Sequence, residues 1–227
     1  MIHQLIFAAP RPGMTTEEFQ RYWVEVHAVR YASKIPQIKK YKVDTTVAMA
    51  ELGTPRWDGV AEIWLANEAD QLASMQTEEF LQGARPDEPK WAAFWQTVVL
   101  DTDPYEVIAP APSAAGVKLI RLVKRKEGMR LAEFRERSIG KYAKLVADIP
   151  GLRGYLQGHT RDGAYGVGEA VLDAAHQLWF DDVDAVRTAF ASPEYGRAED
   201  ELGSLVERRY LHELLTEEHW VIGPDPR

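Results

Sequence analysis

Gly13-Met14-Thr15-Thr16-Glu17-Glu18-Phe19 and Gly128-Met129-Arg130-Leu131-Ala132-Glu133-Phe134 are the stretches on which the reading of this chain turns. Gly, Met, Glu and Phe recur in them at a constant spacing of 115 positions. At that spacing Asp58 also meets Asp173, Trp64 meets Trp179, and Glu79-Phe80 meets Glu194-Tyr195. Between first helix and second strand the spacing slips by one, so Ile35-Pro36 meets Ile149-Pro150 and Tyr41 meets Tyr155. Matches kept in order across both halves mark an internal duplication. Ile108 to Gly116, rich in Ala and Pro with one Ser, has a linker's composition. It divides the chain into repeats at 1–110 and 116–227.

Each repeat carries the same succession of patterns. Ile2 to Ala9 and Val117 to Lys124 are short apolar-rich runs before a Gly-containing turn, and read as strands. Thr15 stands three residues before Glu18, the signature of a helix N-terminus whose orphan N–H groups need acceptors. Phe19, Tyr22, Trp23, Val26 and His27 then recur at helical spacing, and Pro36 and Pro150 end the helices. Strands follow near Ile38 to Val47 and Gly151 to His159, then at Gly59 to Leu65 and Ala174 to Phe180. A second helix and a last strand, near Thr97 to Ile108 and Leu211 to Ile222, close each repeat. The order β-α-β-β-α-β is that of a ferredoxin-like module. Such a sheet has helices on one face only, and a second copy is the simplest cover for the other. The predicted class is α+β, with two ferredoxin-like repeats packed sheet to sheet as one intramolecular α/β barrel.

Composition narrows the function. A net charge of −8 excludes a phosphate-binding face as the main feature, so no nucleic-acid partner is expected. The basic cluster Lys118, Arg121, Lys124, Arg125 and Lys126 reads as a solvated strand edge. With no cysteine there is no disulfide, thiolate metal site or cysteine nucleophile. No apolar run reaches the roughly 20 residues that span a bilayer, and the N-terminus lacks the features of a signal peptide. A cytoplasmic protein without a membrane partner, monomeric or homodimeric, is the expectation. The glycines of Thr160 to Ala170 do not open a helix as a dinucleotide site requires, and no Gly-x-Ser-x-Gly elbow occurs.

Strand alternation assigns side chains to faces. On the third strand Ala61, Ile63 and Leu65 form an aliphatic set suited to the helices, leaving Asp58, Glu62 and Trp64 for the barrel interior. The second repeat places Asp173, Gln177 and Trp179 likewise. On the second strands, Tyr41, Val43 and Thr45 and their counterparts Tyr155, Gln157 and His159 are assigned inward, subject to a register slip that would flip every one. This polar and aromatic mixture describes a small-molecule site, although aromatic side chains alone could simply fill the barrel. His159, with Tyr155 beside it, is the leading candidate for acid–base chemistry. His27 and Glu62 are further candidates. His27 could equally tie down a neighbouring loop. Asp58, Trp64, Tyr41, Gln177, Trp179, Gln157 and Trp23 are the expected substrate contacts. His176 has the opposite parity and reads as structural or surface. No pair of histidines has metal-ligand spacing, and although His159 could serve a haem as axial ligand, nothing else in the sequence supports one, so no cofactor is expected.

Phe19-x-x-Tyr22-Trp23-x-x-x-His27, Ile35-Pro36-x-Ile38-x-x-Tyr41 and Trp57-Asp58-Gly59-x-Ala61-Glu62-x-Trp64 resemble the EthD family of the dimeric α/β-barrel superfamily. Phe134, Ile149-Pro150-Gly151-Leu152-x-x-Tyr155-x-x-x-His159 and Asp173 to Phe180 carry the resemblance through the second repeat. The superfamily includes polyketide cyclases, cofactor-free quinone-forming monooxygenases, lactone isomerases and haem enzymes. The resemblance implies a cofactor-independent enzyme acting on a polyketide-like or aromatic small molecule by cyclisation, dehydration or isomerisation. The alternatives are a monooxygenase acting on a phenol and a non-catalytic binding protein. The repeats depart from the pattern in complementary ways: His27 is matched by Tyr142, His159 by Thr45, and Glu62 by Gln177.

Overall fold

Thr15 starts the first helix as its sequence predicts. Its hydroxyl accepts from the Glu18 N–H at 3.1 Å, and the Glu18 carboxylate accepts from the Thr15 N–H at 3.0 Å. This reciprocal box satisfies two donors that a helix start leaves open. Thr15→Ala is expected to cost about 1 kcal/mol, read as a lowered denaturation midpoint with no change in the unfolding slope.

The computed structural model describes residues 1–110 and 116–227. The central residues of the expected linker, 111–115, lie outside the described residues. The elements run β1 (Ile2–Ala8), α1 (Thr16–Tyr22), β2 (Ile38–Thr46), β3 (Gly59–Leu65), α2 (Glu68–Ser74), α3 (Arg85–Asp87) and β4 (Val98–Ile108). The pattern returns as β5 (Val117–Val123), α4 (Leu131–Arg137), α5 (Ala143–Ala147), β6 (Gly154–Thr160), β7 (Ala174–Phe180), α6 (Val183–Phe190), α7 (Pro193–Leu205) and β8 (His212–Ile222). Helix α1 continues through a π-helical turn, Trp23–Ala28, and α4 through Ser138–Tyr142. The hydrogen-bonded order β1-β3-β2-β8-β5-β7-β6-β4 closes on itself. The chain is therefore α+β, two ferredoxin-like repeats in one intramolecular α/β barrel.

Two compact units can be distinguished, and their limits cut through β4 and β8 instead of following the repeats. The first comprises residues 1–47, 54–102 and 216–227. In it β1 pairs with β3 and with the start of β4, and β2 pairs with β3 and with the end of β8, all antiparallel. Phe19, Trp23, Ile35, Tyr41, Leu65 and Trp91 belong to its core. The second unit comprises residues 48–53 and 103–215. There β7 pairs with β5 and β6, over a core that includes Phe134, Tyr142, Tyr155, Leu178, Val186 and Leu202.

The expected solvated basic edge is overturned at two of its residues. Lys118 and Arg121 are buried, because β5 lies between β7 and β8 in the strand order and neither face is open to water. The Lys118 ammonium rests 5.4 Å from the centre of the Trp179 ring. Arg121 pairs with Glu199 at 2.5 Å and Glu213 at 2.7 Å, and donates to the Tyr142 hydroxyl at 3.3 Å.

Candidate functional site

The strand register decides which side chains can meet. Directly opposite residues of an antiparallel pair share a sheet face. Tyr41 stands opposite Ile63 and Val43 opposite Ala61, whereas Lys42 stands opposite Glu62. Tyr41 and Glu62 therefore lie on different faces. The sequence assignment of both to the barrel interior is corrected at Tyr41, which belongs to the helix side. The same holds in the second repeat, where Tyr155 opposes Leu178 and Gln157 opposes His176. Parity along one strand gives the alternation but not its phase against the next strand.

The first unit holds a cavity of about 460 Å³ on this helix side, within the range of roughly 300–1,000 Å³ usual for small-molecule sites. Gln4, Ile6 and Ala8 of β1, Tyr41 of β2, and Ala61, Ile63 and Leu65 of β3 form its floor. Trp23 and His27 from the π-helical turn, with Trp91, line it above. A π-helical turn holds one residue more than an α-turn and re-aims the side chains it carries; this one carries both Trp23 and His27. Met75, Phe94 and Val99 line the cavity and are also exposed to solvent, which gives its mouth an apolar rim.

His27 Nδ1 lies 3.0 Å from the buried Asp87 carboxylate. Asp87 also accepts from the Tyr22 hydroxyl at 3.0 Å and from Lys90 at 3.0 Å. Burial would raise the Asp87 pKa, but hydrogen bonds from His27, Lys90 and Tyr22 outweigh it and hold the carboxyl below its usual value. An ionised Asp87 accepts only, so it fixes the proton of a neutral His27 on Nδ1 and leaves Nε2 with its lone pair. Burial lowers the His27 pKa below 6.5, partly opposed by Asp87. At neutral pH the ring is uncharged and basic at Nε2.

Tyr41 is buried, which pushes its phenol well above the usual value, and the neighbouring Trp23 indole opposes this only in part. The phenol is therefore protonated at neutral pH and can donate its O–H.

Of the other residues expected at a site, Glu62 and Trp64 occupy the sheet face turned away from the helices. Glu62 meets His3 at 2.5 Å and Lys42 at 3.3 Å, and Trp64 stacks on His3 with ring centres 4.4 Å apart. Lys42 also pairs with Glu218. Asp58 does not join them. At the strand end it accepts from the Thr16 hydroxyl at the start of α1, at 2.7 Å.

Gln157 and His159 are corrected to the helix side with Tyr155, into the core of the second unit. Ser138 and His159 meet Gln157 Oε1 at 3.0 and 2.9 Å, Gln157 donates to the Tyr155 hydroxyl at 2.7 Å, and that hydroxyl lies 3.1 Å from His176 Nδ1. His176, expected at most as a structural or surface residue, is wholly buried. Gln177 and Trp179 alternate with it onto the other face. Asp87 and Trp91 escaped the sequence reading altogether. Asp87 stands 60 residues from His27 in a charged, proline-flanked stretch, and only the packing of α3 against the π-helical turn brings the two together.

Fold, paired repeats and buried polar groups define a tandem ferredoxin-like α/β-barrel protein. The sequence profile of the EthD domain matches residues 11–94 and 126–208. The chain belongs to the EthD family. Among solved structures, it is similar to an anthrone oxidase-like protein, at 14% identity and a TM-score of 0.63, over 97% of this chain and 92% of that one. A protein from Lactobacillus acidophilus, provisionally assigned as a monooxygenase, is 13% identical with a TM-score of 0.58, over 100% and 97% of the two chains. A protein from Fusobacterium nucleatum with the same provisional assignment is 8% identical with a TM-score of 0.60, over 100% and 95%. At these identities the likeness concerns the fold alone. No curated protein sequence matches the chain significantly. Among the described residues no helix is long and apolar enough to cross a membrane.

Proposed function

We propose that this EthD protein is an enzyme of aromatic or polyketide-like small molecules, with His27 as general base and Tyr41 as hydrogen-bond donor. The observation that carries the reading is a carboxylate-oriented imidazole in the wall of an apolar, aromatic cavity. Abstraction of a proton beside a carbonyl needs a base for the proton and a donor for the developing enolate oxygen. His27 Nε2 takes the proton, the Tyr41 O–H steadies the oxygen, and Asp87 stabilises the imidazolium that forms. Trp23 and Trp91 are walls for a flat ring. Cyclisation, dehydration and isomerisation all begin with this step, and none of this chemistry calls for a metal or organic cofactor. His159, Tyr155 and Gln157 stand outside the reaction in this reading, as parts of a filled core.

The step can be tested without knowing the natural substrate. In deuterated water the protein is expected to speed exchange of the protons beside the carbonyl of tetralone, followed by NMR. Each event moves one proton from carbon to His27 and returns one deuteron from the exchanged ring. Binding of tetralone without accelerated exchange would identify a carrier instead of an enzyme. Oxygen uptake with an anthrone, in place of exchange, would identify a monooxygenase.

A further inference from the structure

One cross-strand row differs sharply between the repeats. In the first repeat Ala61 stands between Ile6 and Val43. In the second its counterpart His176 stands between Arg121 and Gln157. Both rows face their own helices. The helix residues above them differ as well: Trp23 and His27 in the first repeat answer to Ser138 and Tyr142 in the second. In the second unit the row is a plug. His176, Arg121 and Gln157 are buried, with Gln157 bonded to Ser138 and Tyr155, His176 to Tyr155, and Arg121 to Tyr142. In the first unit Ile6 and Ala61 instead line the cavity of about 460 Å³.

The middle residue of the row thus carries a methyl in the unit that holds the cavity and an imidazole in the plugged one. Val43 lies in the row without lining the cavity, and Ile6 is already a large side chain. The change with the most room to act is at Ala61, on the floor below Trp23 and His27. A longer side chain there would fill part of the cavity floor that a larger ligand needs, while His27 and Asp87 belong to other elements.

We infer that Ala61 is the specificity-determining residue of the cavity, setting how many fused rings its aromatic ligand can have. This rests on the proposed reading of the cavity as a substrate site. The apolar rim of Met75, Phe94 and Val99 suits the same ligand class, flat and poorly soluble.

The test measures binding of two probes, naphthol with two rings and alizarin with three, by quenching of tryptophan fluorescence, since Trp23 and Trp91 line the site. The proteins compared are the wild type, Ala61→Gly, Ala61→Val and Ala61→Leu, each first checked for an unchanged circular dichroism spectrum. Alizarin affinity is expected to fall stepwise from Gly to Leu and to be about tenfold or more weaker in Ala61→Leu than in the wild type, the scale of one poorly accommodated side chain. Naphthol affinity is expected to change less than about threefold. Ala61→Val keeps the proposal testable should the leucine variant fail to fold, since its smaller step must already separate the probes. Equal losses for both probes, or none for either, would overturn the inference and leave the cavity reading standing. A wild type that binds neither probe would overturn the cavity reading and the inference with it.

Discussion

His27→Gln is expected to slow the tetralone exchange by roughly 10²–10⁴-fold, the scale of removing a positioned general base, while tetralone binding changes little. Glutamine keeps a polar side chain of similar reach, yet its amide has no basic nitrogen. Asp87→Asn should act through His27. With the anion gone, the Nδ1–H tautomer loses its anchor and the imidazolium its counter-charge, so the rate falls while binding persists. The pH profile gives an independent check. The base works in its neutral form and burial holds its pKa below 6.5, so activity should be full at neutral pH and above, and fall only as the pH drops through that lowered value. Asp87→Asn should move this acid limb further down, because Asp87 is the group that raises the His27 pKa. Undiminished exchange in His27→Gln, or an acid limb that does not move in Asp87→Asn, would place the base elsewhere.

The second large effect is on stability in acid. His159 is lowered to about 4 by burial, with Arg135 adding to the effect, and burial holds His176 well below its usual value too, with His159 and Arg121 adding to it. His159 Nδ1 and His176 Nε2 are buried without a hydrogen-bond partner among the described residues, so a proton arriving on either ring nitrogen would find no acceptor among them. A group whose folded pKa is depressed contributes stability that is complete above its unfolded value, here near 6.5, and is lost as pH falls towards the folded value. For His159 alone the loss between pH 6.5 and 4 is on the order of 3 kcal/mol, and His176 adds to it with the same sign. Urea midpoints measured at several pH values from 7.5 to 4 should therefore fall steeply. His159→Gln should be less stable than the wild type at pH 7.5 and show a shallower fall. An identical pH slope in that variant would mean that His159 is already charged, or open to water, in the folded protein.

Much of the architecture was legible in the residues themselves. The constant spacing of Gly-Met and Glu-Phe revealed the duplication, Thr15 and Glu18 marked a helix start, and alternation identified Glu62, Trp64, Gln177 and Trp179 as one set and Ala61 and Ile63 as the other. These readings succeeded because they depend on local geometry, a period of two in strands and 3.6 in helices, which neighbouring residues carry with them. The site was legible only in fragments. His27, Trp23 and Tyr41 stood among the candidates, but His159 ranked ahead of them and Tyr41 was placed on the wrong face. The phase of β2 against β3 follows from the pairing of Lys42 with Glu62, a contact between residues 20 positions apart that no single strand's pattern encodes.

Burial and partnership were decided in the same way. Lys118 and Arg121 look like surface residues by type, yet Trp179 lies beside Lys118, and Glu199, Tyr142 and Glu213 enclose Arg121. Asp87 sits in a hydrophilic stretch, and its meaning lies in reaching His27 across 60 residues. The cavity lies over a row of three strands whose middle residue is Ala61, where the other repeat has His176. Sequence by itself determined the elements, their order and the repeat, since each is written within a few turns of chain. Tertiary structure decided the register, the partners of the buried charges and the empty space, because each of these is a relation between strands and helices that are distant in sequence.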